Sequence, residues 1–280
     1  MAKFFTGLAV AIVIAYLAFR ARALDRSGAF AAGILGTVVF GLGGVSWALV
    51  LLTFFISASG ISKLFPVHKS EVEQDFAKGS RRDAGQVAAN GAVSGVFVLL
   101  YFFLFYFIPE SPLLPVFWLG FAASLGAANA DTWATELGVL NPRQPVLVTN
   151  FRRVPKGTSG GVSLVGSLAA FCGSALVAGV AVLCNKLGWA PVGTPPLWLQ
   201  FLVITVSGFF GAFVDSIMGA TIQVIYSCPA CHKETERHPL HTCGTPTIRK
   251  RGVPWINNDW VNTACTLSGG VLGIVLGILF

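Results

Sequence analysis

The chain has 280 residues, of which 54% are hydrophobic and only 11% charged, and its net charge is +7. With a mean hydropathy of +0.73, that balance excludes an ordinary soluble globular domain. It predicts an all-α, polytopic transmembrane helix bundle, with residues 1–280 forming a single integral membrane domain.

Phe4–Phe19 is apolar, but Arg20, Arg22 and Arg26 follow it rather than precede it, so it reads as a first span and not as a cleaved signal peptide. Further apolar runs lie at Gly28–Gly44, Ser46–Ser62, Gln86–Ile108, Val116–Leu140, Gly161–Cys184, Leu197–Tyr226 and Trp260–Phe280. The second and third are short and Gly-rich, so a re-entrant hairpin rivals two full crossings there, giving about seven or eight spans. Placing the N-terminus outside puts Arg20–Arg26, Lys63–Arg82, Arg143–Lys156 and Lys233–Arg251 all on the cytoplasmic side. Of the 19 Lys and Arg residues, only Lys3 and Lys186 then face out. The expectation is a multi-pass membrane protein, in a bacterium of the plasma or inner membrane. Its positive charge serves topology and anionic lipid, and with no nucleic-acid module in sight, nucleic acid is not an expected partner.

Of only 12 acids, five fall within or at the ends of these runs: Asp83, Asp131, Glu136, Asp215 and Asp259. An ionised carboxylate at membrane depth costs roughly 2.5–3.5 kcal/mol even on lenient scales, so it is retained for a task or a partner. Asp131 and Asp215 lie about 13 and 16 Å from the cytoplasmic ends of their runs, at about 1.5 Å per residue. All five can therefore share one cytoplasmic mouth. Asp131, Glu136, Asp215 and Asp259 supply hard oxygens for magnesium, which takes one or two carboxylates together with substrate phosphates. Asp131 and Asp83, with Lys156 further along the chain, are candidate catalytic groups, and Asn90, Asn258, Asn262, Thr132 and Thr135 are polar neighbours of the acids. The plainer alternatives are that the carboxylates glue the bundle and that Asn257 and Asn258 cap a helix; no Lys or Arg lies within a run to pair with the acids.

Close behind Glu136 comes Lys156-Gly157-Thr158-Ser159-Gly160-Gly161-Val162-Ser163. A Gly-rich turn with one Lys and three hydroxyls can wrap anionic oxygens with backbone N–H groups, and it opens the sixth span, where a helix N-terminus favours anions. It is not a Walker A sequence. Arg81 and Arg82 precede Asp83, and Arg152 and Arg153 precede the loop; Arg grips phosphate in bidentate fashion. Acids that can hold a cation beside a loop that can hold phosphate point to nucleotide-dependent phosphoryl transfer at a membrane surface. A weak internal echo pairs Gly126–Thr132 with Gly211–Ser216, and Arg82–Gln86 with Asn258–Asn262, as in proteins built from repeated halves.

The inner loop, residues 227–259, holds Cys228, Cys231, His232, His238, His241 and Cys243. In a reducing compartment such a cluster reads as structural zinc rather than disulfide, against the alternative of free thiols in a mobile loop. Cys228 and Cys231 have knuckle spacing, and Cys243 with His241 or His238 completes the set. Cys172, Cys184 and Cys265 read as packing residues.

Four strings carry a resemblance: Gly79–Gly91, Ala130–Gly138, Pro155–Ser163 and Asn257–Asn262. They resemble the signatures of the integral-membrane family that contains plant and cyanobacterial phytyl-phosphate kinase, from about Ser27 to the C-terminus. The second and third are also similar to the Gly-Asp-x-x-Ala … Lys-Ser-x-Glu-Gly-Ser pattern of CTP-dependent dolichol and phytol kinases. Asp131 and Ala134 match its Asp and Ala, and Lys156, Thr158 and Gly160 match its Lys, Ser and Gly; Ser159 stands where those kinases have Glu. The resemblance implies transfer of phosphate from CTP, with magnesium, to an isoprenyl phosphate of the inner leaflet. The rival is a transporter or flippase whose intramembrane carboxylates carry protons or substrate.

Overall fold

The computed structural model describes residues 2–64, 81–191 and 193–280. Gly79, Ser80 and most of the basic stretch Lys63–Arg82 lie outside the described residues. Eight α-helices are described: α1 (Ala2–Arg20), α2 (Arg26–Val38, continued by a π-helical turn Val39–Gly43), α3 (Val45–Leu64), α4 (Ala84–Phe107), α5 (Leu114–Gly138), α6 (Leu164–Lys186), α7 (Leu197–Thr221) and α8 (Asn258–Leu279). Six of these stretches are long and apolar enough to cross a membrane: α2 with its π turn, α3, α4, α6, α7 and α8. Their outer faces carry exposed Phe30, Phe103, Phe105, Leu168 and Trp198, as expected where the solvent is lipid.

Of the two helices outside those six, α1 and α5, the second is the hub. It packs on α3, α4, α6, α7 and α8, and from Leu114 to Ala130 every residue but Phe117 is buried. Its neighbours are protein rather than lipid, so it carries Asn129, Asp131 and Glu136 without exposing them to hydrocarbon. Small residues let the partners close in without a hydrophobic drive between helices. A Cβ added at Gly269 of α8 would stand 2.7 Å from Ala127 Cβ, and one at Gly273 2.7 Å from Ala123 Cβ. Asn129 stitches three helices: its Oδ1 accepts from Ser57 Oγ (2.9 Å) and its Nδ2 donates to the Gly173 carbonyl (2.8 Å).

The second and third apolar runs form two separate helical stretches, each long and apolar enough to cross. Trp47, near the start of α3, packs 5.1 Å from Trp118 near the start of α5, and Ser62, near its end, donates to Glu136 at 2.6 Å near the end of α5. The two helices therefore cover the same depth. The chain reverses between α2 and α3 at Gly44, whose φ of +93° suits a residue without Cβ.

Two expected spans are shorter at the polar end than their apolar runs. Gly161–Val162 (β2) leaves the helix to pair antiparallel with Val146–Leu147 (β1). Ile225–Cys228 (β3) pairs with Lys233–Thr235 (β4) and Ile248–Arg251 (β5) in the order β4-β3-β5. Ile225 and Tyr226 are apolar because they belong to this small sheet, not because they extend the seventh span. With α5 ending at Gly138 and α7 at Thr221, Asp131 and Asp215 sit only about 10 Å from their helix ends at about 1.5 Å per residue.

Candidate active site

At the end of the bundle where α5 and α7 stop, a cleft of about 350 Å³ opens. Helix α5 lends it Asp131, Thr132, Thr135 and Glu136, and α7 lends Asp215 and Ser216. Asn90 and Gln86 come from α4, and Asn258, Asp259 and Asn262 from α8. The Gly-rich loop closes one wall, with every residue from Lys156 to Ser163 lining it, and Arg82 stands opposite. Candidates from six separate stretches of sequence thus share one cavity.

The carboxyl groups of Asp131 and Asp215 lie close enough to act on each other. Their helices cross where a Cβ at Gly211 would lie 2.6 Å from Ala127 Cβ, so the echo between the two Asp-bearing segments is spatial as well as sequential. Two ionised carboxylates this close repel each other, and a divalent cation between them would hold both. Asp215 Oδ2 is buried with no hydrogen-bond partner among the described residues. An orphaned carboxylate oxygen beside a second carboxylate suits a hard cation such as magnesium.

Glu136, also in the cleft lining, has further partners. It accepts from Ser62, and its charge acts on Arg82, whose guanidinium lies 5.3 Å from the centre of the Phe54 ring. It thereby links α3, α5 and the stretch before α4 at the edge of the cleft. Asp83 is placed apart from the other acids. It lies outside the cleft lining and is the N-cap of α4: Gln86 N donates to its Oδ1 at 2.8 Å, and the Gln86 side chain returns to Asp83 N at 3.2 Å. The partner of this cap in α8 is Asn257, which accepts from Trp260 N, so the second echo is out of register: Asn257, not Asp259, corresponds to Asp83. Asn258 is the first residue of α8 and lines the cleft. Arg81 turns to the Leu24 carbonyl (3.4 Å), while Arg152 and Arg153 are exposed outside the lining.

The loop is a hairpin excursion and not the first turn of α6, which Ser163 caps by accepting from Gly166 N at 3.1 Å. Thr158 N and Gly161 N are used inside the turn. Among the described residues, the N–H groups of Gly157, Ser159 and Gly160 have no internal acceptor. Gly160 holds φ +82°, and a Cβ there would stand 2.5 Å from Ala220, so the loop seats on α7 only with glycine at this position. Lys156 Nζ donates to the Val139 carbonyl at the end of α5 (2.9 Å).

Three functional candidates escape sequence reading. Glu236, just after β4, lines the cleft and accepts from Gln223 Nε2 (2.8 Å) and Ser159 Oγ (3.3 Å). It thereby brings a carboxylate beside Ser159. Arg251 donates to the carbonyls of Gly219 (2.9 Å) and Ser159 (3.5 Å), pinning the small sheet to the loop. Gln223 completes the trio. Only the hairpin fold of residues 225–251 brings these groups together, and no spacing rule marks them.

In that hairpin Cys228, Cys231, His241 and Cys243 converge, with their ligand atoms all within 4.8 Å of one another. His238 does not join them: it stacks on Tyr226 at 4.5 Å. Hydrogen bonding with Thr245, then with His241, holds the Cys243 thiol down to about 5. Hydrogen bonding with Cys243, then with Cys228, pushes Cys231 up to about 11.

The fold and this cleft define a polytopic helical membrane protein with a polar site at one end. The profile of the family described as "Integral membrane protein DUF92" matches residues 9–270. The chain belongs to that family. It is 32% identical to Protein PGR of Arabidopsis thaliana over 90% of this chain and 88% of that one. It is 26% identical to an uncharacterized membrane protein of Methanocaldococcus jannaschii over 98% and 94%. It is 25% identical to Protein VTE6, chloroplastic, of Arabidopsis thaliana over 90% and 65%. No solved structure matches it.

Proposed function

We propose that the protein is a membrane phosphotransferase that moves a phosphoryl group from a nucleotide to a lipid monophosphate. One observation carries this reading: the polar cleft meets an apolar chamber at Arg82, Gln86 and Asn90. The chamber lies among α1 to α4, walled by Ala11, Leu35, Phe40, Leu51 and Phe55, and those three polar residues line both cavities. A lipid chain in the chamber would present its phosphate to the Arg82 guanidinium, facing the Gly-rich loop across the cleft.

The donor phosphates would lie against Lys156 and the N–H groups of Gly157, Ser159 and Gly160. Asp131 and Asp215 would hold magnesium, which supplies charge neutralisation of the nucleotide phosphates. An oxygen of the acceptor phosphate attacks the terminal phosphorus, that P–O bond forms as the bridging P–O bond to the nucleotide breaks, and a nucleoside diphosphate leaves. A phosphate acceptor is already an anion at neutral pH and requires screening rather than a base. Asp83, engaged as a cap, is not needed. The likeness to CTP-dependent kinases supports CTP as donor, and the likeness to phytyl-phosphate kinase supports an isoprenyl monophosphate as acceptor. The site then opens to the cytoplasm, where both the nucleotide and the excess of Lys and Arg belong.

A transporter is disfavoured by the far half of the bundle. There Trp47 packs within 4.8 Å of Tyr101 and 4.6 Å of Phe121, an aromatic cluster that fills the bundle around the start of α5. Incubating the purified protein with CTP, magnesium and either phytol or phytyl phosphate tests the proposal. Diphosphate formed from the monophosphate alone is expected; phosphorylation of the free alcohol alone, or of neither, overturns it.

A further inference from the structure

The cluster over the cleft has the dimensions of an ion site. Cys228 Sγ lies 3.5 Å from Cys243 Sγ, Cys231 Sγ 3.6 Å from His241 Nδ1, and His241 Nδ1 3.2 Å from Cys243 Sγ. A tetrahedron with Zn–S of about 2.3 Å and Zn–N of about 2.0 Å has edges of roughly 3.5–3.8 Å. The separations are near those edges and far from a covalent S–S contact of about 2.05 Å. Cys231 N points at Cys228 Sγ at 3.4 Å, as a knuckle does when its amides stabilise thiolate ligands. Three thiols and one imidazole fill all four positions, which makes the centre structural and not catalytic.

We propose that Cys228, Cys231, His241 and Cys243 bind one structural zinc ion that holds the β3–β4 hairpin so that Glu236 reaches into the cleft. The connection is short. Cys228 and Cys231 form the turn of the hairpin, whose pairs run Cys228 with Lys233, Ser227 with Glu234 and Tyr226 with Thr235. Glu236 is the next residue, and it bonds Gln223 and Ser159. His241 and Cys243 tie the return segment to the same ion. Without it, the turn is closed by local hydrogen bonds alone, and the register that delivers Glu236 loses its clamp. The site does not depend on what the cleft binds.

The test uses the full-length protein purified in detergent without metal-affinity resin. Elemental analysis should find about one zinc per chain, falling at least tenfold in Cys231→Ser and Cys243→Ser, while His238→Ala keeps it. Chelation of the native protein should raise hydrogen exchange in residues 223–251 and 156–163 and leave α4 and α5 unchanged, and added zinc should restore protection. Glu236→Gln should retain zinc. If the Ser variants fail to fold, chelation and readdition on the native chain decide alone. Protein holding no zinc after incubation with it, a Cys228–Cys243 disulfide by mass spectrometry, or exchange indifferent to chelation overturns the proposal. These readouts are independent of turnover, so their failure is distinct from failure of the phosphotransferase reading.

Discussion

The two ends of helix α5 do opposite work. At its start, Trp118 and Phe121 interlock with Trp47, whose ring centre lies 5.1 and 4.6 Å from theirs. At its end, Asp131 meets Asp215 while Glu136 holds Ser62. Asn129 is the seam, fully buried and bonded to α3 and α6. One helix can do both because protein surrounds it on every side. Its apolar half excludes water and lipid from below, and its polar half is then free to open at a single face.

The sharpest way to break this division is at the acids. Asp131→Asn or Asp215→Asn should lower turnover by about 10⁴-fold, roughly 5.5 kcal/mol in the barrier, while melting in detergent stays at or above the native value. Full turnover in either variant would remove the metal-holding role. Next comes the far end. Trp118→Ala should cost about 3–5 kcal/mol of stability from lost packing and a residual cavity, measured by denaturant-induced unfolding in mixed micelles, with nucleotide affinity kept in whatever fraction stays folded. A large loss of stability from the acids and none from Trp118 would reverse the assignment of the two ends.

Lys156→Ala should reduce turnover by about 10²-fold, roughly 2.7 kcal/mol, with a smaller effect from Thr158→Ala. If neither turnover nor nucleotide affinity moves, the loop is only a connection into α6. The mildest change is Asp83→Ala, which removes an N-cap and should cost about 1 kcal/mol of stability with turnover per folded molecule unchanged. A collapse of turnover there would return Asp83 to the catalytic set.

The acids show how far pattern alone can reach. Asp131, Glu136, Asp215 and Asp259 stand out as carboxylates in apolar runs, and the cleft gathers all four. Asp83 stands out by the same rule, yet it caps α4 outside the lining, while Glu136 is tied to Ser62 as well. The rule detects that a charge is costly but not which partner offsets the cost. Arg82 lies just outside a run in sequence and still faces Glu136, so the lack of basic residues within spans was no guide to pairing.

Sequence by itself determined the membrane class, the helices and their order, the Gly-rich loop and the Cys/His set, because each depends on hydropathy or spacing along a continuous stretch. Tertiary structure alone decided that α5 is central and that His241 rather than His238 completes the cluster. It also decided that Glu236 and Arg251, from a loop marked only by its cysteines, reach the cleft. Those outcomes depend on which segments meet in space. The small sheet brings residues 223 to 251 over a loop far away in the chain, and no local pattern encodes that contact.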